Sequence, residues 1–135
     1  ALDPVQLAEL MHAARELELG VFLECEKTED LDIALPLRDG FQAVGVNNRD
    51  LRTFTTDPDR GIQILGAFPE ELTRVSESGL RTPDDLVRLW RAGIDAALIG
   101  EHLMRQADPG GSLRSLLDGT QDRIRQEQDQ SEAEA

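Results

Sequence analysis

An α/β fold built on parallel strands is predicted by three features of the 135-residue sequence. Helical and strand-like segments alternate along the chain. The first strand-like segment is short and nearly uniformly apolar, as a strand covered on both faces is, and the third is weaker in composition. The repeating units have the size of βα repeats, which implies a parallel sheet with right-handed crossovers.

The elements follow in order. Asp3 to Glu18 places Val5, Leu7, Leu10, Met11, Ala14 and Leu17 near the helical period, with Pro4 in the first turn and Gly20 as the stop. Val21 to Cys25 then reads as a buried strand. Thr28 to Leu37 reads as a helix through Leu31, Ile33, Ala34 and Leu37, punctuated by Gly40, and Phe41 to Val46 is a second strand. Asp50 to Asp59 is polar and contains Pro58, so a loop is expected before a short helix around Ile62 to Ala67.

Thr73 to Glu77 is the third strand. Thr82 is an N-cap, Pro83 takes N1 and Asp85 closes a capping box, opening a helix with Leu86, Val87, Leu89 and Trp90 on its apolar side. Trp90 and Met104 are expected in the core, and Cys25 as a small buried hydrophobe. Ile94 to Ile99 is the fourth strand, Gly100 to Met104 begins a turn, and Leu113 to Leu117 forms a last amphipathic helix after Pro109-Gly110-Gly111. The folded region is expected to cover 1–119. Beyond it, 120–135 is acidic, and Ile124 is its one large apolar side chain. That is too little burial to offset ordering entropy, so a disordered tail is expected, with a solvated continuation of the last helix as the alternative. Four strands fit either a small doubly wound sheet or part of a (β/α)₈ barrel.

Composition excludes several function classes. Lys plus Arg number 14 against 27 Asp plus Glu, a net charge of −13, and such a surface repels nucleic acid. The apolar runs are only a few residues long, whereas a membrane span needs about 20. The N-terminus carries no signal-peptide pattern, so a cytoplasmic location is the expectation. One cysteine, Cys25, and two separated histidines, His12 and His102, provide neither a disulfide nor a structural zinc set.

Polar groups on buried apolar strands are the informative anomaly, because burying them costs free energy unless pairing or function compensates. Glu24 and Glu26 share one face of the first strand, with Cys25 on the other. The second strand runs into Asn47-Asn48-Arg49-Asp50, the third ends in Ser76-Glu77-Ser78-Gly79, and the fourth leads into Gly100-Glu101-His102. A lone Glu24 is ordinarily a strand-edge charge or half of an ion pair, with Arg49 the available partner. Four coincident C-terminal strand ends favour a site instead, since parallel α/β folds place theirs there. The glycine turns at Ser78-Gly79 and Gly100-Glu101 suit close approach of backbone to a phosphate.

These segments resemble a known family. Val21-Phe22-Leu23-Glu24, Val44-Gly45-Val46-Asn47-Asn48-Arg49-Asp50-Leu51, Val75-Ser76-Glu77-Ser78-Gly79-Leu80 with Thr82-Pro83, and Ile99-Gly100-Glu101-His102-Leu103-Met104 are similar, in order and spacing, to the fifth to eighth strand motifs of indole-3-glycerol phosphate synthase. The resemblance implies the C-terminal half of a (β/α)₈ TIM barrel, running to about Leu117. It also implies closure of the indole ring of a carboxyphenylamino deoxyribulose phosphate with loss of CO₂ and water, without metal or organic cofactor. By that resemblance Glu24 is the general base, and Asn47 and Glu77 contact substrate. Ser78, Gly79, Gly100 and Glu101 correspond to the phosphate-binding positions.

Three departures stand out. Glu26 and His102 occupy positions where the family often has His or Asn, and a small residue, respectively. The family's general-acid lysine has no counterpart, since the sole lysine is Lys27 and a whole barrel needs about 250 residues. The implied partners are a phosphorylated small molecule and an N-terminal half-barrel, without which the chain is expected to be inactive. The rival readings are another phosphate-binding barrel, such as an isomerase of histidine or tryptophan biosynthesis, and a non-catalytic half-barrel that self-associates through its open sheet edges.

Overall fold

The computed structural model describes residues 2–50 and 52–133. Leu51, which ends the second strand motif, and 134–135 of the expected tail lie outside the described residues.

Four parallel strands form one sheet in the order β1 (Phe22–Cys25), β2 (Ala43–Asn47), β3 (Thr73–Glu77) and β4 (Ala96–Leu98). A doubly wound sheet reverses its strand order at a switch point. An unbroken sequential order is instead the wall of a barrel, so the topology decides between the two architectures that composition leaves open. β1, β2 and β4 begin one or two residues later than the apolar runs suggest, β2 extends to Asn47, and β3 has the span its sequence predicts.

Strand alternation divides the side chains between two faces. Leu23 and Cys25, Val44 and Val46, and Ser76 face outward, where Cys25, Val44 and Val46 join Phe41, Ile64, Leu65, Phe68, Leu80 and Leu89 in the core under the helices. Phe22, Glu24, Gly45, Asn47, Val75, Glu77 and Leu98 line the inner face through the register Glu24–Gly45–Val75 and Asn47–Glu77–Leu98.

The helix α1 (Pro4–Glu16) is capped by Asp3, whose carboxylate accepts from the Val5 and Gln6 amides at 2.9 and 3.0 Å. Only Leu7 of this helix is buried and Met11 packs on the core, so Val5, Leu10 and Leu17 of the expected apolar stripe stay exposed. The predicted helix over Thr28 to Leu37 is broken into a 3₁₀ turn, one helical turn α2 (Leu31–Ala34), and a second 3₁₀ stretch, Leu35–Gly40. Pro36 has no N–H to continue an α-helical ladder, which accounts for the tighter winding.

The next helix, α3 (Pro58–Leu65), starts earlier than expected because Asp57 caps it, accepting from the Arg60 amide at 3.1 Å. In α4 (Pro83–Arg91) the capping box forms as predicted: Thr82 Oγ1 accepts from the Asp85 amide at 3.3 Å, and the Thr82 amide donates to Asp85 at 2.9 Å. Val87 and Leu89 carry its buried side, and Trp90, expected in the core, is 41% exposed. Met104, in the single turn α5 (Glu101–Met104), is 77% exposed and is likewise no core residue.

Past 120 the chain takes the alternative the sequence allows, a continuation of the last helix, rather than a disordered tail. Helix α6 runs continuously from Pro109 to Ala133, its start held by Asp108, which accepts from the Gly111 amide at 2.9 Å. Leu116 and Thr120 are buried, Arg123 pairs with Asp84 at 2.9 Å, and Arg91 pairs with Glu127. Composition treats 120–135 as a segment that must order itself. Here helix already nucleated upstream propagates as far as Ala133, which removes the nucleation cost, and α4 supplies opposite charges alongside. Among the described residues no helix is long and apolar enough to cross a membrane.

Candidate active site

The C-terminal ends of the four strands form one rim, and the polar residues singled out in the sequence lie along it. Glu24 is exposed on the inner face of β1. Asn47 ends β2, and its Oδ1 accepts from the Arg49 amide at 3.0 Å. That bond turns the oxygen back on its own loop and leaves Nδ2 as the end available to a ligand.

Glu77 ends β3 and is only 7% exposed, with Oε1 buried and without a hydrogen-bond partner among the described residues. Burial pushes its carboxyl above the ordinary glutamate range, and the negative charge of Glu24 pushes it further. Gly45, opposite Glu24 in register, makes this placement possible. A Cβ there would collide with Glu77 Oε1 and the Phe22 ring. The rim thus presents one exposed and one buried carboxyl group on a shared face. Cys25 takes no part: it faces the core, and burial pushes its thiol up to about 11.

Beyond β3 and β4 lies a cleft of about 350 Å³ bounded by Arg49, Ser78, Gly79, Arg81, Gly100, Glu101, His102 and Arg105. Ser78 and Gly79 both take left-handed backbone, with φ of 64° and 74°. At Gly79 a Cβ would in addition strike the Thr56 side chain. The Ser78 amide donates to the Leu98 carbonyl at 3.2 Å, which ties the turn to the end of β4. The Gly79 amide has no partner among the described residues.

Gly100 precedes α5, whose first-turn amides have no intrahelical acceptor. A Cβ at Gly100 would meet nothing within 4 Å, so internal packing does not require glycine there. The Glu101 side chain is occupied by Arg49 and by Arg105, the latter at 3.0 Å, and Arg49 above all holds its carboxyl below the usual range. The Glu101 carboxylate is thereby engaged within the chain. Arg49 pairs with Glu101 rather than with Glu24, the partner suggested by sequence.

Residues 1–116 match the family model described as indole-3-glycerol phosphate synthase. The chain belongs to the indole-3-glycerol phosphate synthase family. The enzyme of that name from Salinibacter ruber is 49% identical over 116 residues, covering 86% of this chain and 42% of the relative. The one from Laribacter hongkongensis is 42% identical over 118 residues, covering 87% and 44%. The chain spans less than half the length of these curated relatives. A solved structure described as "Native KDPGal structure" superimposes with a TM-score of 0.58 at 17% identity, covering 93% of this chain and 66% of that one. Mandelate oxidase with (S)-2-phenylpropionate gives 0.57 at 22%, covering 87% and 37%. At such identities the likeness is one of fold alone.

The family's strand motifs therefore bring Glu24, Asn47 and Glu77 to one face, and Gly79, Gly100 and Glu101 to the cleft beside it. Three contributors escape the sequence reading: Arg81 and Arg105, which line the cleft, and Asn48, which is fully buried. Strand alternation offers a signal for Asn48. With Asn47 on the inner face, the next side chain turns toward the apolar core, where an amide must find partners.

Proposed function

We propose that this chain carries one half of an indole-3-glycerol phosphate synthase active site, with Glu24 as general base and Asn47 and Glu77 in contact with substrate. The observation that carries the reading is the shared rim. Three proton-transferring or hydrogen-bonding side chains stand on adjacent strands, beside a cleft bearing arginines and unspent backbone amides.

The reaction closes an indole ring with loss of CO₂ and water, so protons must be delivered and removed at fixed points around the substrate. Glu24 accepts one. Glu77, which keeps its proton to higher pH than an ordinary glutamate, is suited to donate a hydrogen bond, and Asn47 Nδ2 supplies a neutral one. The phosphate group sits against the Gly79 amide and the amides following Gly100, with Ser78 holding the turn and Glu101 fixing Arg49 at its edge. The inner face must be closed by the preceding half of the barrel, which brings the remaining catalytic groups. By itself the chain is inactive.

The test combines this chain with a separately produced N-terminal half of a family relative and follows indole fluorescence on addition of the carboxyphenylamino deoxyribulose phosphate. Neither half alone should turn over, and the mixture should. A stable one-to-one complex without product would overturn the reading. Self-association of this chain that excludes the other half would favour a non-catalytic half-barrel instead.

A further inference from the structure

Asn48 is fully buried, and no step of the proposed chemistry uses it. Its amide donates to the Glu77 carbonyl at 2.8 Å, and its own carbonyl accepts from the Asp57 amide at 2.8 Å. Its side-chain Nδ2 donates to Ser76 Oγ at 2.9 Å and to the Ser78 carbonyl at 3.0 Å. A carbonyl only accepts, so the nitrogen end of the amide is fixed toward Ser78. The oxygen end is accommodated by Gly61, where a Cβ would collide with Asn48 Oδ1.

Peptide planarity converts this contact into a direction. The Ser78 C=O and the Gly79 N–H belong to one trans peptide unit and point opposite ways. Holding the oxygen on Asn48 therefore aims the Gly79 N–H away from Asn48, and Gly79 borders the cleft. The turn needs such a hold, because Ser78 sits in left-handed backbone that a serine adopts only when its surroundings impose it.

We infer that Asn48 is a positioning residue which, through the Ser78 carbonyl, orients the Gly79 amide as the donor to the substrate's phosphate. The inference rests on the phosphate-site reading above, and the two separate experimentally. In the isotope-labelled 135-residue chain, the residual dipolar coupling of the Gly79 N–H reports orientation, and titration with inorganic phosphate reports binding at the same amide.

Asn48→Asp keeps the shape but sets an oxygen against the Ser78 carbonyl, and Asn48→Ser keeps a hydroxyl that falls short of it. Both should change the Gly79 coupling and weaken phosphate binding by about ten-fold, the effect of losing a well-aimed donor to an anion. Ser76→Ala removes the other acceptor of Nδ2 and should leave both readings at their wild-type values. The second Asn48 variant serves if the first does not fold. A Gly79 coupling unchanged in the folded variant, or displaced equally by Ser76→Ala, would overturn the inference. A coupling that changes as expected, with no phosphate-dependent shift even in the wild type, would support the positioning role and refute the phosphate site.

Discussion

The two faces of the sheet are built to different ends. The outer face is sealed: Cys25, Val44, Val46 and Ser76 are at most 1% exposed, packed beneath or bonded among the helices and loops. In this chain, which spans less than half the length of its relatives, the inner face is uncovered, with Phe22 at 48% and Leu98 at 50% exposed, Glu24 exposed, and a carboxyl at Glu77 that burial raises. The first holds the packed core, and the second carries the polar groups proposed for the chemistry. The same backbone serves both because alternation assigns consecutive residues to opposite sides.

That division is open to direct attack, beginning with the largest expected effect. In the reconstituted barrel, Glu24→Gln on the inner face should lower kcat by roughly 10²- to 10⁴-fold with a much smaller change in KM. Stopped-assay kinetics at saturating and limiting substrate decide it, and an unchanged kcat removes Glu24 from the role of base. Its stability cost should be slight. In the core beneath the outer face the pattern inverts: Ile64→Ala in α3, at 1% exposure, should cost about 2 to 5 kcal/mol by urea denaturation. Phe22→Ala, larger in volume but half exposed, should cost about 1 kcal/mol or less.

Gly45→Ala sharpens the comparison, because it adds one methyl to the inner face where Glu77 and Phe22 already meet. Overpacking of this kind costs about 1 to 3 kcal/mol, and the carboxyl of Glu77 must move to relieve it. A neutral Gly45→Ala by urea midpoint would show that the inner face is loosely packed. Glu77→Gln tests the electrostatic cost of the site. A carboxyl raised in the folded state binds more protons there than when unfolded, so its contribution is fully present at low pH and is lost as pH rises past the ordinary glutamate range. Glu77→Gln should therefore raise the urea midpoint at neutral pH, and the gain should shrink on acidification. A gain that is independent of pH would point to packing instead.

The smallest effect belongs to the end of α6. Removing 121–135 deletes the Arg91–Glu127 and Arg123–Asp84 pairs, all exposed or partly so, and also negative charge. With a net charge of −13, the full chain should gain stability as salt screens self-repulsion beyond about 8 to 10 Å. The shortened chain should respond less. Urea midpoints at low and high sodium chloride measure both, and a midpoint that falls with salt in each would favour stabilising ion pairs over repulsion.

Local chemistry made much of this protein legible in advance. Apolar runs located β1, β2 and β4, and the Thr82-Pro83-Asp85 pattern located the start of α4, because strand burial and helix capping act over a few residues. The strand-end motifs, Glu24, Asn47 and Glu77 among them, were readable for the same reason. Tertiary structure alone decided the sequential strand order, the exposure of Trp90 and Met104, and the pairing of Arg49 with Glu101. It also decided that the Ser78 amide is spent on Leu98 and that the helix continues past 120 along α4. Each of these depends on a partner distant in the chain, and the free energy of a side chain or an amide is set by the partner it meets once the backbone has folded, which local pattern does not specify.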